Sequence, residues 1–380
     1  LVQEILMTQV KVLDCTIRDG GLMNRWRFDD VFVRDLVAAS RHAGSAYVEL
    51  GYKASTTFFD PQTHGKWRFC QEEVLKDFWT KGDDAAVLTV MLDIGRFDPR
   101  DMPRAADSVV GAVRVACYVN QIAEGVAATQ LLDARGYETF LNIMAVSDAE
   151  PRALDEALVF VGSQSPVRAV SVVDSYGNLT PGETRALVRH YRETTGGKPV
   201  GFHGHNNLQL ALANSLAAAE AGATFLDASL AGMGRGAGNA PLELLLPQLG
   251  VPLGRLSDLF YLLETAIPPL QRELRWGYQV PYIVSGLANQ HPREAMELMD
   301  NGQGAVASGY LERMAGAERE RLGSSLLQSA GGKIVVDRHG GEVPVGVEID
   351  VDHLHEAFGH RDGVFGIETV RNQEVDQLLK

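Results

Sequence analysis

Eight short apolar runs, most of them followed by a segment with helix signals, recur along residues 10–229 of this 380-residue chain. The runs fall near Val10–Thr16, Ala46–Gly51, Ala86–Leu92, Gly111–Val119, Thr139–Met144, Ala169–Val173, Pro199–His203 and Thr224–Ser229. Helix-like stretches lie between them at Asp29–Ala43, Gln71–Trp79, Asn120–Arg135, Pro151–Gly162, Pro181–Arg192 and Leu208–Ala221. The connection around Asp98–Ser108 is shorter and less regular. Near-continuous apolar strands belong to a sheet covered on both faces, and alternation with helices makes that sheet parallel. Thr180-Pro181 adds a helix-start signal, with proline at the first helical position. Eight such units in about 240 residues predict a (β/α)8 TIM barrel, whose active site lies at the C-terminal ends of the strands. A doubly wound open sheet is the alternative. It is disfavoured because Asp14-Cys15-Thr16-Ile17-Arg18-Asp19 follows the first strand where a GxGxxG loop would be needed.

The chain is 45% hydrophobic and 22% charged, enough to bury a large core. The expected organisation is a barrel over residues 1–252 and a C-terminal, mostly helical extension over 253–380. Within the extension, Leu253–Leu274 reads as helix and Pro292–Glu297 starts another. Lys333–Asp337 and the turn at Gly340–Pro344 suggest a small mixed appendage. A formal charge of −14 argues against nucleic acid, whose phosphates need a basic surface. No apolar stretch reaches membrane-spanning length and no secretion signal opens the chain, so a cytoplasmic protein with no membrane partner is expected. Cys15, Cys70 and Cys117 have no metal-knuckle spacing; buried reduced thiols are the expectation.

Two separate clusters carry chemistry. His203 and His205 end the seventh apolar run, and a strand's period of two points both imidazoles to one face. Neutral imidazoles paired in this way can hold a divalent cation. Arg18 and Asp19 follow the first strand, Glu49 ends the second, Asp174 ends the sixth, and a glycine-rich loop at 232–239 follows the eighth. A barrel brings all of these to one mouth. Trp26, Arg27, Tyr52 and Lys53 are candidates for lining that mouth. Asp14 reads as a structural carboxylate. His64, His291, His353 and His355 stand apart from any carboxylate cluster and are not read as ligands.

The combination of Asp14–Gly20, Glu49, Asp174–Gly177, His203-Gly204-His205 and Gly238-Asn239 resembles the DRE-TIM metallolyase (HMGL-like) superfamily. The stretch from Gly201 to Glu243 is most similar to 4-hydroxy-2-oxovalerate aldolases. The resemblance covers residues 10–250. It implies a carbon–carbon lyase that makes or breaks a 4-hydroxy-2-oxo acid through a metal-bound pyruvate enolate, with a small 2-oxo acid and an aldehyde as substrates. It implies Asp19, His203, His205 and Asn239 as metal ligands, for Mn²⁺ or Mg²⁺, with Zn²⁺ and Co²⁺ left open. Arg18 would stabilise the enolate and Glu49 would orient Arg18. Tyr282, in a segment resembling the one that carries an active-site tyrosine in the aldolases, would serve the aldehyde oxygen. A homodimer is expected, and a dehydrogenase partner, known for some relatives, stays open. One departure matters. The aldolases carry a histidine three residues after the metal aspartate, and this chain has Leu22 there.

Two other readings stand beside the aldolase. A Claisen-type synthase joining an acyl-CoA to a 2-oxo acid belongs to the same superfamily, but those enzymes usually follow Arg-Asp-Gly with glutamate and glutamine. Gly21 and Leu22 stand here instead. A non-catalytic metal-dependent binder is the third, made conceivable by Leu22.

Overall fold

The structure, a computed structural model, describes residues 10–80, 86–302 and 309–316. Eight parallel strands close into a barrel in sequence order: β1 (Lys11–Asp14), β2 (Tyr47–Tyr52), β3 (Val87–Asp93), β4 (Ala112–Cys117), β5 (Glu138–Ile143), β6 (Ala169–Asp174), β7 (Val200–Gly204) and β8 (Phe225–Ala228). Closure is made where β1 pairs β8, with Val12 opposite Leu226 and Asp14 opposite Ala228. All eight expected strands are present.

Helices α1 (Thr16–Asn24), α2 (Asp30–Ala43), α3 (Glu72–Lys76), α4 (Ile122–Asp133), α5 (Pro151–Gln164), α6 (Pro181–Thr194), α7 (Ala211–Glu220) and α8 (Leu242–Gln248) follow in chain order. The α6 start is the expected one: Thr180 and Glu183 form a capping box and Pro181 opens the helix. The β3–β4 crossover holds only two single 3-10 turns, Pro99–Asp101 and Ala105–Asp107. That is the irregular connection read from the sequence. The segment after β1 forms a short helix, α1, that is not among the segments read as helix from the sequence, and Arg18 and Asp19 lie on it.

Period-two alternation stacks the barrel interior in layers. Leu13, Tyr47, Ala112, Phe140, Ala169 and Phe225 form an apolar floor. Its rings meet edge to face, with Tyr47 and Phe140 centres 5.4 Å apart and Phe140 and Phe225 centres 5.1 Å apart. Two residues further along the same strands stand Glu49, Arg114, Asn142, Ser171 and Asp227, all buried. A polar layer in the middle of a barrel is stable only if its groups pair with one another. Between strands and helices lies the larger apolar core, to which Val48, Val113, Leu141, Val170 and Leu226 contribute the alternate, outward-facing positions.

Beyond the barrel run α9 (Ser257–Thr265), α10 (Ile267–Glu273), α11 (Val280–Leu287) and α12 (Arg293–Asp300). Asn207, two residues past His205, donates to the Tyr282 carbonyl at 3.0 Å and to Ser285 Oγ at 3.1 Å, which ties α11 to the barrel mouth. Ala237 packs with Tyr282, Val284, Ala295 and Tyr310 in a small apolar cluster of its own. Lys333–Asp337, Gly340–Pro344, His353 and His355 lie outside the described residues. The three cysteines are buried and unpaired. No helix among the described residues is long and apolar enough to cross a membrane.

Candidate metal centre and mouth cavity

Asp19, His203 and His205 meet at the C-terminal end of the barrel, each with one ligating atom within 4.8 Å of the others. The two imidazoles stand on one face as their spacing requires, with ring centres 5.0 Å apart. Each is held by its Nδ1. His203 Nδ1 lies 2.9 Å from Asp227 Oδ2, and His205 Nδ1 donates to the Gly238 carbonyl at 3.2 Å. Nε2 of each ring is thereby left as the nitrogen free to ligate, the arrangement that supports metal-bound histidines in general.

Asn239 reaches Asp19 from the loop after β8. Its Nδ2 donates to Asp19 Oδ2 at 2.6 Å and to the Met233 carbonyl at 3.1 Å, and its Oδ1 is buried without a partner among the described residues. An unpartnered buried oxygen beside a carboxylate and two imidazoles is what a bound cation would satisfy. The residues present therefore fit a divalent metal ion. The loop makes this approach because it is glycine-rich. A Cβ on Gly234 would come within 2.4 Å of both Asn239 Nδ2 and Asp19 Oδ2. Gly238, at φ +80°, presents its own carbonyl to His205.

Arg18 lies next to the triad, fixed by two carboxylates. Its Nε donates to Glu49 Oε2 at 2.7 Å and its Nη1 to Asp19 Oδ1 at 2.7 Å. Its Nη2 has no hydrogen-bond partner among the described residues. Glu49 is itself held from below by Arg114 Nη1 at 3.0 Å, while Arg114 Nη2 binds Asp227. One continuous chain of charges thus runs from Arg18 through Glu49, Arg114 and Asp227 to His203. Sequence reading placed Glu49 at the end of its strand. It stands within β2, two positions above Tyr47, and reaches Arg18 from the polar layer.

Burial alone would raise the Asp19 pKa, but Arg18, His205, His203 and Arg235 hold the carboxyl far below its usual range. Burial pushes His205 well down, helped by the Arg235 charge and opposed by Asp19. An ionised carboxylate and a neutral imidazole are the protonation states a metal requires.

The triad is nearly closed off, with Asp19 1% and His203 3% exposed. A cavity of about 600 Å³ opens beside it, lined by Leu22, Trp26, Tyr52, Tyr176 and Arg235 among others. A neighbouring cavity of about 360 Å³ shares Leu22 and adds Met23, Gly236 and Tyr282. Trp26 and Tyr52 line the mouth as expected. Arg27 and Lys53 turn instead to Gln62 and to Cys70 and Gln71. His64 and His291 line the larger cavity apart from the triad. Asp14 accepts from the Thr16 backbone at 2.9 Å and from the Ser40 hydroxyl, securing the start of α1.

Sequence reading missed Arg114, Asp227 and Arg235. The first two were visible as lone charges inside apolar strands, and Arg235 as a cation within the glycine loop.

Residues 100–252 match the HMGL-like family. An oxaloacetate decarboxylase from Mycobacterium tuberculosis is 31% identical over 258 residues, covering 65% of this chain and 74% of that protein. The chain belongs to the HMGL-like family. Another relative, a 4-hydroxy-2-oxovalerate aldolase from Streptomyces griseus, is 34% identical over 289 residues, covering 74% of this chain and 83% of its own. Among solved structures, the N-terminal domain of a candidate aldolase from Bacteroides vulgatus is 31% identical with a TM-score of 0.67, over 76% of this chain and 96% of that one. Membership makes the protein a metal-dependent lyase of the HMGL-like family.

Proposed function

We propose that this enzyme is a divalent-metal-dependent aldolase that cleaves or forms a 4-hydroxy-2-oxo acid by way of a pyruvate enolate. The observation that carries the reading is the pairing of Arg18 with the triad: a guanidinium locked by Glu49 and by Asp19, itself one of the residues that would hold a cation. Asp19, His203, His205 and Asn239 would hold the ion. Mixed imidazole and carboxylate oxygen suits Mn²⁺ better than Mg²⁺. When bound, the cation would supply Lewis-acid polarisation of the 2-oxo carbonyl.

The remaining steps belong to the chain's own residues. As the C3–C4 bond breaks, its electron pair moves toward C2 and negative charge builds on the former carbonyl oxygen. Arg18 donates to that oxygen from a fixed position, so no reorganisation is needed as charge develops. Glu49 positions Arg18, and Arg114 positions Glu49. The C4 hydroxyl must lose its proton, and because Leu22 has no group to accept it, that proton passes to a water molecule in the mouth cavity. Tyr282, whose burial keeps its phenol protonated with a pKa raised to about 12, acts as a hydrogen-bond donor to the C4 oxygen and not as a base.

A second reading is favoured by Leu22 itself. Decarboxylation of oxaloacetate breaks the same C3–C4 bond, leaves the same enolate and requires no base, because carbon dioxide leaves without a hydroxyl proton to remove. The relative named as an oxaloacetate decarboxylase agrees with that economy.

The test common to both readings uses the Mn²⁺-loaded full chain with pyruvate in D₂O, following the methyl signal by NMR. Exchange of the methyl protons is expected, and Arg18→Lys should exchange poorly because a point charge does not reproduce the planar fork. Absence of exchange in the parent enzyme would sink the enolate reading. Pyruvate release from a 4-hydroxy-2-oxo acid, set against release from oxaloacetate, then separates aldolase from decarboxylase.

A further inference from the structure

The 600 Å³ mouth cavity carries two guanidinium groups that the chemistry above leaves unused. Arg68 is 3% exposed and enclosed by aromatic rings, its guanidinium carbon 3.9 Å from the Phe59 ring centre, 4.4 Å from Tyr52 and 4.5 Å from Trp26. Such stacking fixes the plane of the group and leaves its edge as the donor surface. Its Nε is buried with no hydrogen-bond partner among the described residues, and its Nη2 lies 3.8 Å from Asp93 Oδ2. Arg235, in the loop after β8, donates from Nη2 to the Ser175 carbonyl at 2.8 Å, while its Nη1 is likewise buried without a partner. Tyr52 joins the two, since Arg68 stacks on its ring and its hydroxyl lies within electrostatic reach of Arg235 and Arg18.

Buried cationic N–H groups without acceptors are rare in native structures, and each one invites an explanation. We propose that Arg68 and Arg235 receive an anionic oxygen-bearing tail on the second reactant, so that the carbonyl compound joined to or released from pyruvate is itself an acid. The proposal rests on the oxo-acid reading of the triad and names the substrate class within it: a 2-oxo acid with a second anionic group at its far end.

The other charges around the cavity do not cancel this pair. Asp93 is shared between Arg68 and Arg96, whose Nη1 lies 3.5 Å from it. Glu297 and Asp300 are exposed on α12 beside Arg293, where solvent and salt screen them. His291 is kept neutral near pH 7, its pKa lowered to about 4 by burial and by Arg235 and Arg293. The fixed, water-poor donors are Arg68 and Arg235, and charge-assisted hydrogen bonds are strongest in such a place.

The experiment compares two ligands of nearly the same shape, 2-oxoglutarate and 2-oxopentanoate, which differ in carrying a carboxylate or a methyl at the far end. Binding to the Mn²⁺-loaded full chain is measured by calorimetry. The parent protein should bind 2-oxoglutarate about 30-fold more tightly. Arg235→Ala and, independently, Arg68→Gln should bring the ratio toward parity, and Arg235→Lys should keep part of it. Aldol condensation of pyruvate with glyoxylate, with glyceraldehyde 3-phosphate and with acetaldehyde then identifies the tail. Preference for either anionic aldehyde supports the proposal and distinguishes carboxylate from phosphate. Equal binding of the two oxo acids by the parent, or a ratio unchanged in Arg235→Ala, overturns it. Methyl exchange of pyruvate in the parent keeps the two readings separable: exchange without anion preference removes this proposal alone, while absence of exchange removes the enolate reading beneath it.

Discussion

Asp227 Oδ2 stands 2.9 Å from His203 Nδ1, reaching across from β8 to the neighbouring strand β7. The contact leaves Nε2 as the ligating nitrogen, and the same carboxylate also neutralises Arg114. Burial alone would raise the Asp227 pKa, but Arg114 and His203 lower it, so the group is a permanent anion in the folded enzyme. Asp227→Asn is expected to lower Mn²⁺ affinity about 10–100-fold, the usual effect of removing a ligand's hydrogen-bonded support. It should also cost on the order of 3 kcal/mol of stability, because Arg114 loses one of its two buried counter-charges. Calorimetric Mn²⁺ titration together with thermal denaturation checks both effects. Unchanged metal affinity would mean that Asp227 serves Arg114 alone.

The barrel was legible in the sequence for a definite reason. Strands buried on both faces are written as continuous apolar runs, and eight of them between helices leave few other folds. The His203–His205 pair was legible because a period of two is rigid. Helix α1 was not, since Thr16–Asn24 carries two adjacent glycines and no amphipathic stripe, and its helical state comes from tertiary contacts. Arg114 and Asp227 each look like a stray charge within an apolar strand. Only closure of the barrel shows that their faces point inward, two positions above Ala112 and Phe225, where Glu49 and His203 wait to pair with them.

Gly234 offers a test of the loop that needs no change to any polar group. A methyl at this position would come within 2.4 Å of both Asn239 Nδ2 and Asp19 Oδ2, so Gly234→Ala must push the two apart. The expected result is at least about a 10-fold loss of Mn²⁺ affinity with an overpacking cost of roughly 1–3 kcal/mol. Gly254→Ala, where a Cβ meets nothing within 4 Å, is the control and should behave as the parent does. Parent-like metal binding by Gly234→Ala would show that Asn239 and Asp19 need not sit together.

Asp174, at the end of β6, governs a pH effect of unusual sign. Burial pushes its pKa up to about 6 from an ordinary 3.8, although the backbone N–H groups of Asn178 and Leu179 donate to it at 3.2 Å. Between about pH 4 and 6 the folded protein therefore holds a proton that the unfolded chain has released. Stability must fall as pH rises through that window and level off above it, by roughly 3 kcal/mol between the limits. Urea midpoints from pH 4 to 7.5 should show the decline in the parent and a flatter profile in Asp174→Asn. The same slope in both proteins would assign the effect to another group.

The last prediction concerns the side of the site that Leu22 leaves without a base. Leu22 lies one helical turn beyond Arg18 on α1, and Tyr282 lines the smaller cavity with it. Pyruvate has no C4 oxygen, so a residue serving only that oxygen is idle during methyl exchange. Tyr282→Phe should accordingly slow cleavage of a 4-hydroxy-2-oxo acid by about 10²–10³-fold, typical of one lost transition-state donor, while pyruvate still exchanges. Leu22→His tests the same geometry from the opposite direction, since an imidazole one turn from Arg18 would supply a proton acceptor near neutral pH. Cleavage should rise and exchange should change little. Equal loss of exchange and cleavage in Tyr282→Phe would move that tyrosine to the enolate side. An unresponsive Leu22→His, combined with ready release of pyruvate from oxaloacetate, would decide for the decarboxylase, an enzyme that needs no base at that position.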